Sequence, residues 1–148
     1  MPTAQDVANM LLSWANRDGD LITNLKLQKL VYYIQAWHLV HFKKPLFNDV
    51  IEAWDLGPVI PTLYRCFKKF RYSAIKYTNT GNEQDAFTKK QLEYLVIAYD
   101  TFIKYSAHEL VNMSHNETPW KIAFEKTDKI ISHKSMKDYY SKLLTQNG

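Results

Sequence analysis

Apolar residues recur three and four positions apart through most of this chain, and the breaks between the runs fall at capping residues, glycines and prolines. Thr3 with Asp6 resembles a capping pair ahead of Val7, Leu11 and Trp14, which share one helical face, and Gly19 stands just past the end; the spacing predicts a first helix over about residues 4–16. Thr23 offers its hydroxyl to the free N–H groups of a second helix, "NLKLQKLVYYIQAWHLVHF", in which Leu27, Leu30, Val31, Ile34, Trp37 and His41 keep the same spacing. Apolar groups spread around much of its circumference, the mark of a helix at the centre of a fold. After a loop at Pro45 and a short extended run from Val50 to Trp54, Gly57-Pro58 restarts the chain into a third helix of about residues 59–69.

Residues 71–86 hold no helical period, and "AIKYTNTGNEQDAF" with a turn at Asn79 to Asn82 predicts a small β-hairpin or an irregular insertion. Thr88 and Gln91 can satisfy each other's backbone donors while Phe87 staples onto Leu92, and Ser106 with Glu109 repeats the device. A fourth helix of about residues 89–104 therefore meets a fifth of about 107–113 at a sharp break. Thr118 before Pro119 starts a short sixth helix through about Phe124, and Ser132 starts a last one with Met136, Tyr139, Tyr140 and Leu143 on one side. No repeat, low-complexity stretch or linker interrupts the 148 residues. The expectation is a mainly α, compact fold with one domain over residues 1–148.

Charge and cysteine usage narrow the function classes. Lys plus Arg number 19 against 15 Asp plus Glu, a net charge of +4, with the basic residues scattered except around Lys68, Lys69 and Arg71. The stretch "RCFKKFRYSAIKY" alternates basic and aromatic residues as a nucleic-acid surface does, but so small a net charge favours Phe67 and Phe70 facing the core and the cations facing water. Nucleic acid is therefore not the expected partner. The single cysteine, Cys66, suits a reducing cytoplasm and reads as a buried, inert thiol. The N-terminus has an Asp where a signal peptide carries Lys or Arg, and no run approaches the roughly 20 apolar residues of a membrane span, so a soluble cytoplasmic protein without a membrane partner is expected.

Chemistry is sparse. His38 and His41 share a helical face, and His115 with Glu117 could complete a metal site, but the tight two-histidine motif of a catalytic zinc centre is absent. No metal and no cofactor is expected. Ser114-His115 and Ser106 near His108 lack a nucleophile elbow, and the four glycines are isolated, so no phosphate loop forms. An enzyme is disfavoured. The alternative that stays open is a small metal-dependent or hydrolytic enzyme, which requires His115 and Glu117 to converge in a deep pocket.

Four segments, "TNLKLQKLVYYIQAWHL", "KPLFNDVIEAWDLGPVIPTLYRCFK", "SAHELVNMSHNETPWKIAF" and the closing "IISHKSMKDYY", resemble in order and spacing the Panacea family, the SocA-like and GepA-like proteins of bacterial and prophage genomes. Asp55-Leu56 stands before Gly57 where an aromatic is common in the family, and Ser114 precedes His115 where threonine is. The resemblance implies an antitoxin of a toxin–antitoxin system, with a cognate toxin, encoded by the adjacent gene, as its protein partner. It implies no DNA-binding domain of the kind some relatives carry ahead of this one, and it leaves homo-oligomerisation open.

Shared motifs in a domain that meets many toxins are expected to be scaffold. That assigns structural roles to Lys26, Leu27, Gln28, Lys29, Leu30, Gly57, Pro58, His115, Glu117, Pro119 and Trp120. Within the Pro119 corner, Thr118 is expected to cap the following helix, Trp120 to anchor it in the core, and His115 with Glu117 to bond the backbone of the turn. The partner-binding candidates are Tyr32, Tyr33, Trp54 and Asp55, one of the tyrosine pair being expected to point away from the buried face of its helix.

Overall fold

The computed structural model describes residues 1–147. They form seven helices and one two-stranded antiparallel sheet: Ala4–Asp18 (α1), Asn24–Phe42 (α2), Glu52–Trp54 (β1), Gly57–Val59 (β2), Pro61–Phe67 (α3), Lys89–Phe102 (α4), Ala107–His115 (α5), Thr118–Phe124 (α6) and His133–Asn147 (α7). The mainly α expectation holds. The three reciprocal caps also form as the local sequence dictates: Thr3 with Asp6, Thr88 with Gln91 and Ser106 with Glu109 exchange backbone and side-chain hydrogen bonds of 2.8–3.2 Å. Gly19, at φ +73°, ends α1 in the left-handed conformation that glycine adopts most cheaply.

Helix α2 is surrounded, with α1, α3, α4, α5, α7 and β2 all packed on it. Its buried residues occupy every side of the cylinder, so polar side chains are taken into the interior along with the apolar ones. Each is spent on the backbone of a neighbouring segment. Gln35 accepts from the N–H groups of Leu46 and Phe47 at 2.8 and 3.3 Å and donates to the Phe47 carbonyl at 2.7 Å. Gln28 accepts from the Ile60 N–H at 2.9 Å, Asn24 donates to the Tyr64 carbonyl at 3.3 Å, and Lys29 donates to the Pro58 carbonyl at 3.0 Å. Lys26 reaches the Ile103 carbonyl at the end of α4. A buried amide left without a partner costs about 1–3 kcal/mol, so these bonds hold loops to α2 as firmly as apolar packing does.

Several local expectations change. The hairpin is not at residues 71–86 but at 52–59, where Glu52 faces Val59 and Trp54 faces Gly57. The third helix starts at Pro61 rather than 59 because residues 57–59 pair with β1. A short segment pairs on the other edge of β1, with the Ala53 N–H donating to the Lys129 carbonyl and the Ile131 N–H to the Ile51 carbonyl. The 71–86 stretch is the irregular alternative: apart from a bridge between Thr23 and Ala74, it folds around one carboxylate, Glu83, which accepts from the Tyr77 hydroxyl and the N–H groups of Thr80 and Gly81. Cys66 is exposed on α3, not buried, its thiol donating to the Thr62 carbonyl one turn back. No helix among the described residues is long and apolar enough to cross a membrane.

Gly57 is the tightest point of the hairpin. Its φ of +106° lies outside the range of ordinary L-residues, and a β-carbon there meets the Lys29 Cε at 2.7 Å and the Ser114 Oγ at 2.8 Å. Gly19 shares the positive φ but has open space around it. Gly57→Ala is expected to cost about 2–4 kcal/mol, combining backbone strain with overpacking, whereas Gly19→Ala costs about 1–2 kcal/mol from strain alone. Urea denaturation of both variants checks the difference; equal losses mean the Lys29–Ser114 wall yields.

Candidate functional site

The motif segments meet at the hairpin. Lys29, fully buried on α2, runs beneath Gly57 to the Pro58 carbonyl. From the opposite side, the α5–α6 corner grips the turn between the strands: His115 Nε2 donates to the Asp55 carbonyl at 2.7 Å, and Trp120 Nε1 donates to the Trp54 carbonyl at 2.8 Å. The His115 and Trp120 rings lie 4.3 Å apart, and Trp120 stacks on Phe124 at 4.6 Å. The Trp54 indole in turn donates to Glu52 and meets the Tyr64 ring edge-on at 5.0 Å. The turn is thereby fixed through two consecutive carbonyls, and Asp55 and Leu56 at its tip stand in solvent.

Glu117 faces away from this corner. Its Oε1 accepts from the Tyr33 hydroxyl at 2.6 Å and the Tyr140 hydroxyl at 2.7 Å, and the Tyr140 oxygen lies 3.0 Å from that of Tyr32. Because Tyr140 gives its one proton to Glu117, Tyr32 must be the donor to Tyr140. Burial pushes the Glu117 carboxyl above the ordinary glutamate range while the two tyrosines pull it back. Burial also raises all three tyrosine hydroxyls, which stay protonated and remain donors. Beyond Glu117 opens a cavity of about 700 Å³ walled by Trp37, Phe42, Tyr94 and Phe102.

Four sequence expectations change here. Tyr32 and Tyr33 are 0% and 1% exposed, so neither points away from the core as one of them was expected to. Both are turned toward the Glu117 network, and Tyr33 also lines the cavity beyond it. Thr118 caps nothing: it is the first residue of α6, Glu117 is the N-cap without a side-chain cap bond, and Pro119 sits within the first turn. Glu117 bonds tyrosines rather than the turn backbone, and His115 bonds the hairpin instead of its own corner. Trp120 is half-buried, an indole holding the Trp54 carbonyl more than a core plug.

His115 and Glu117, two residues apart, thus serve opposite faces of the corner and do not converge. His38 is buried with Nδ1 bonded to the Lys44 carbonyl, while His41 is exposed. Among the described residues no three His, Cys, Asp or Glu side chains are grouped to hold a metal ion. Two residues of the cluster take roles that the sequence does not announce: Ser114 is fully buried against Gly57, and Tyr140, expected on an apolar helix face, turns its hydroxyl to Glu117. Tyr140 carried the one available signal, as a polar-tipped ring on a face of core residues.

The chain matches the model of the Antitoxin SocA-like, Panacea domain over residues 27–121, a span that contains Lys29, the hairpin and the whole α5–α6 corner up to Trp120. It is also 35% identical over 132 residues to Antitoxin SocA of Caulobacter vibrioides (strain NA1000 / CB15N), covering 80% of this chain and 69% of that one. No solved structure matches it. The chain belongs to the SocA-like, Panacea-domain antitoxin family.

Two predictions come from this cluster. Trp120→Phe, which keeps a ring but loses the bond to Trp54, is expected to lower stability by about 1 kcal/mol, and Trp120→Ala, which also loses the stack, by about 2–3 kcal/mol. Thermal melting measures both; a Trp120→Phe variant that melts at the wild-type temperature contradicts the assigned hydrogen bond, and equal melting of the two variants contradicts the stack. The second concerns Lys29, whose ammonium burial pushes down to about 7 from an ordinary 10.5. Between those values the unfolded chain binds the proton and the folded chain does not, so stability rises with pH across that window and is flat in this contribution below it. Wild type is expected to gain on Lys29→Met as pH rises from about 7 toward 10, read from urea midpoints; a constant difference between the two overturns the assignment.

Proposed function

We propose that this protein is an antitoxin that neutralises a cognate toxin, the product of a neighbouring gene, by direct protein–protein binding in the cytoplasm. The observation that carries the reading is its 35% identity to Antitoxin SocA over 80% of the chain. The geometry supports binding over catalysis, since His115 and Glu117 are each committed to structural hydrogen bonds on opposite sides of one corner. The motif residues in this reading build a rigid platform, and specificity comes from the side chains around it.

The expected outcome is that co-expression with the neighbouring gene's product rescues bacterial growth and that the two proteins co-purify as a stable complex. Rescue without any complex contradicts neutralisation by binding. Glu117→Gln, which keeps an acceptor for Tyr33 and Tyr140, is expected to rescue as wild type does; loss of rescue by a folded Glu117→Gln variant favours the enzymatic alternative.

A further inference from the structure

Beside the clamped turn lies a second cavity, a cleft of about 1270 Å³ between the hairpin, α3 and the chain that follows it. We propose that this cleft is the partner-binding surface and that it receives an acidic protein segment carrying an apolar anchor. The partner's identity as a toxin rests on the antitoxin reading; the chemistry of the cleft does not.

The floor and lips of the cleft are apolar. Trp54 and Tyr64 form its wall, Leu56 at the tip of the turn is 55% exposed, and Tyr72 is 96% exposed. Large side chains left this open in a monomer are the kind that anchor interfaces. Around them stand Arg65, Lys68, Lys69, Arg71 and Lys129, facing the single carboxylate of Asp55. That excess of four positive charges equals the net charge of the whole chain, so the rest of the chain carries no net formal charge and the cleft is a local concentration of positive charge. None of the five cations is paired with a carboxylate, since the ion pairs among the described residues are Arg17–Asp18 and Lys134–Asp138, both elsewhere, although the Lys129 ammonium is held by the Phe124 carbonyl at 2.7 Å and lies over the Phe124 ring.

The backbone adds to this. Among the described residues three non-glycine residues have positive φ, and two of them, Arg71 at +53° and Lys129 at +56°, are cations of this rim. A left-handed conformation is cheapest for glycine, so a long basic side chain at both positions is a choice made against local preference. The turn itself is preorganised, its carbonyls held by His115 and Trp120, which spares a partner the cost of ordering it. A protein segment fits better than nucleic acid. Trp54, Tyr64 and Tyr72 offer rings to a base as well as to a side chain, but the aliphatic Leu56 suits an apolar side chain, and Asp55 at the mouth repels a phosphate backbone while it can accept a peptide N–H.

The test uses the full chain in two arms. In the first, affinity for the co-purified neighbouring protein is measured by calorimetry at low and high salt for wild type, Lys68→Glu/Lys69→Glu, Leu56→Ala/Tyr72→Ala and a distant control, Lys43→Glu/Lys44→Glu. The first two double variants are expected to lose about tenfold or more in affinity, the charge reversal also flattening the salt dependence, while the control behaves as wild type. In the second arm, fluorescence anisotropy compares a labelled peptide of alternating glutamate and leucine with a labelled single-stranded RNA of similar length. The peptide is expected to bind, and to release on Lys68→Glu/Lys69→Glu. A complex that forms normally in both cleft variants overturns the proposal while leaving the antitoxin reading intact. Failure of wild type to bind its neighbour defeats the antitoxin reading, and the peptide arm then decides the cleft. RNA bound more tightly than peptide makes the cleft a nucleic-acid surface and overturns the proposal.

Discussion

A helix enclosed on every side must satisfy each polar group it carries, and in α2 that requirement organises the rest of the chain. Asn24, Gln28, Lys29 and Gln35 are all buried, and each is bonded to the backbone of a neighbouring segment: α3 itself and its entry, the second strand, or the loop after α2. Those segments have few hydrogen bonds of their own. Their positions are set by side chains reaching out of one cylinder, so the irregular half of the fold inherits the rigidity of the regular half. His38 extends the same arrangement to the Lys44 carbonyl at the C-terminal end of the helix.

The hairpin shows how that rigidity is passed on. From the α2 side Lys29 holds the Pro58 carbonyl and, with Ser114 of α5, closes the space at Gly57 to anything larger than hydrogen; from the α5–α6 side His115 and Trp120 hold the carbonyls of Asp55 and Trp54. The crowd of polar and aromatic residues around Pro119 is therefore a bracket. It spends its donors on main-chain oxygens and keeps its carboxylate for tyrosines, with little left over for chemistry on a substrate.

What the sequence disclosed and what it hid divide along the range of the interaction. Caps such as Thr88 with Gln91 are legible because both partners lie within four residues of each other, and the helical periods are legible for the same reason. The Panacea-family resemblance, carried by ordered motifs, identified the class directly. The hairpin was hidden because Gly57-Pro58 has two local meanings, a helix restart or a strand with a missing donor, and only the pairing with residues 52–54 selects the second. Tyr32 and Tyr33 are both inside, against expectation, because partners that helical spacing does not reveal draw their hydroxyls inward: Tyr33 finds its carboxylate 84 residues away and Tyr32 its hydroxyl partner 108 away. Thr118 failed as a cap for a subtler reason: with Glu117 turned inward, the helix begins one residue early.

The small sheet carries one more consequence. Unpaired strand edges are the usual template on which a foreign strand adds itself, through main-chain hydrogen bonds that are indifferent to sequence. Here β1 is occupied on both edges, by β2 and by residues 129–131, and the outer edge of β2 is sealed by Lys29 on the Pro58 carbonyl and Gln28 on the Ile60 N–H, with Pro58 itself lacking a donor. Strand addition at the hairpin is closed. Whatever docks against this end of the molecule must be recognised by its side chains, a mode in which a few surface substitutions suffice to exchange one partner for another while the scaffold beneath stays the same.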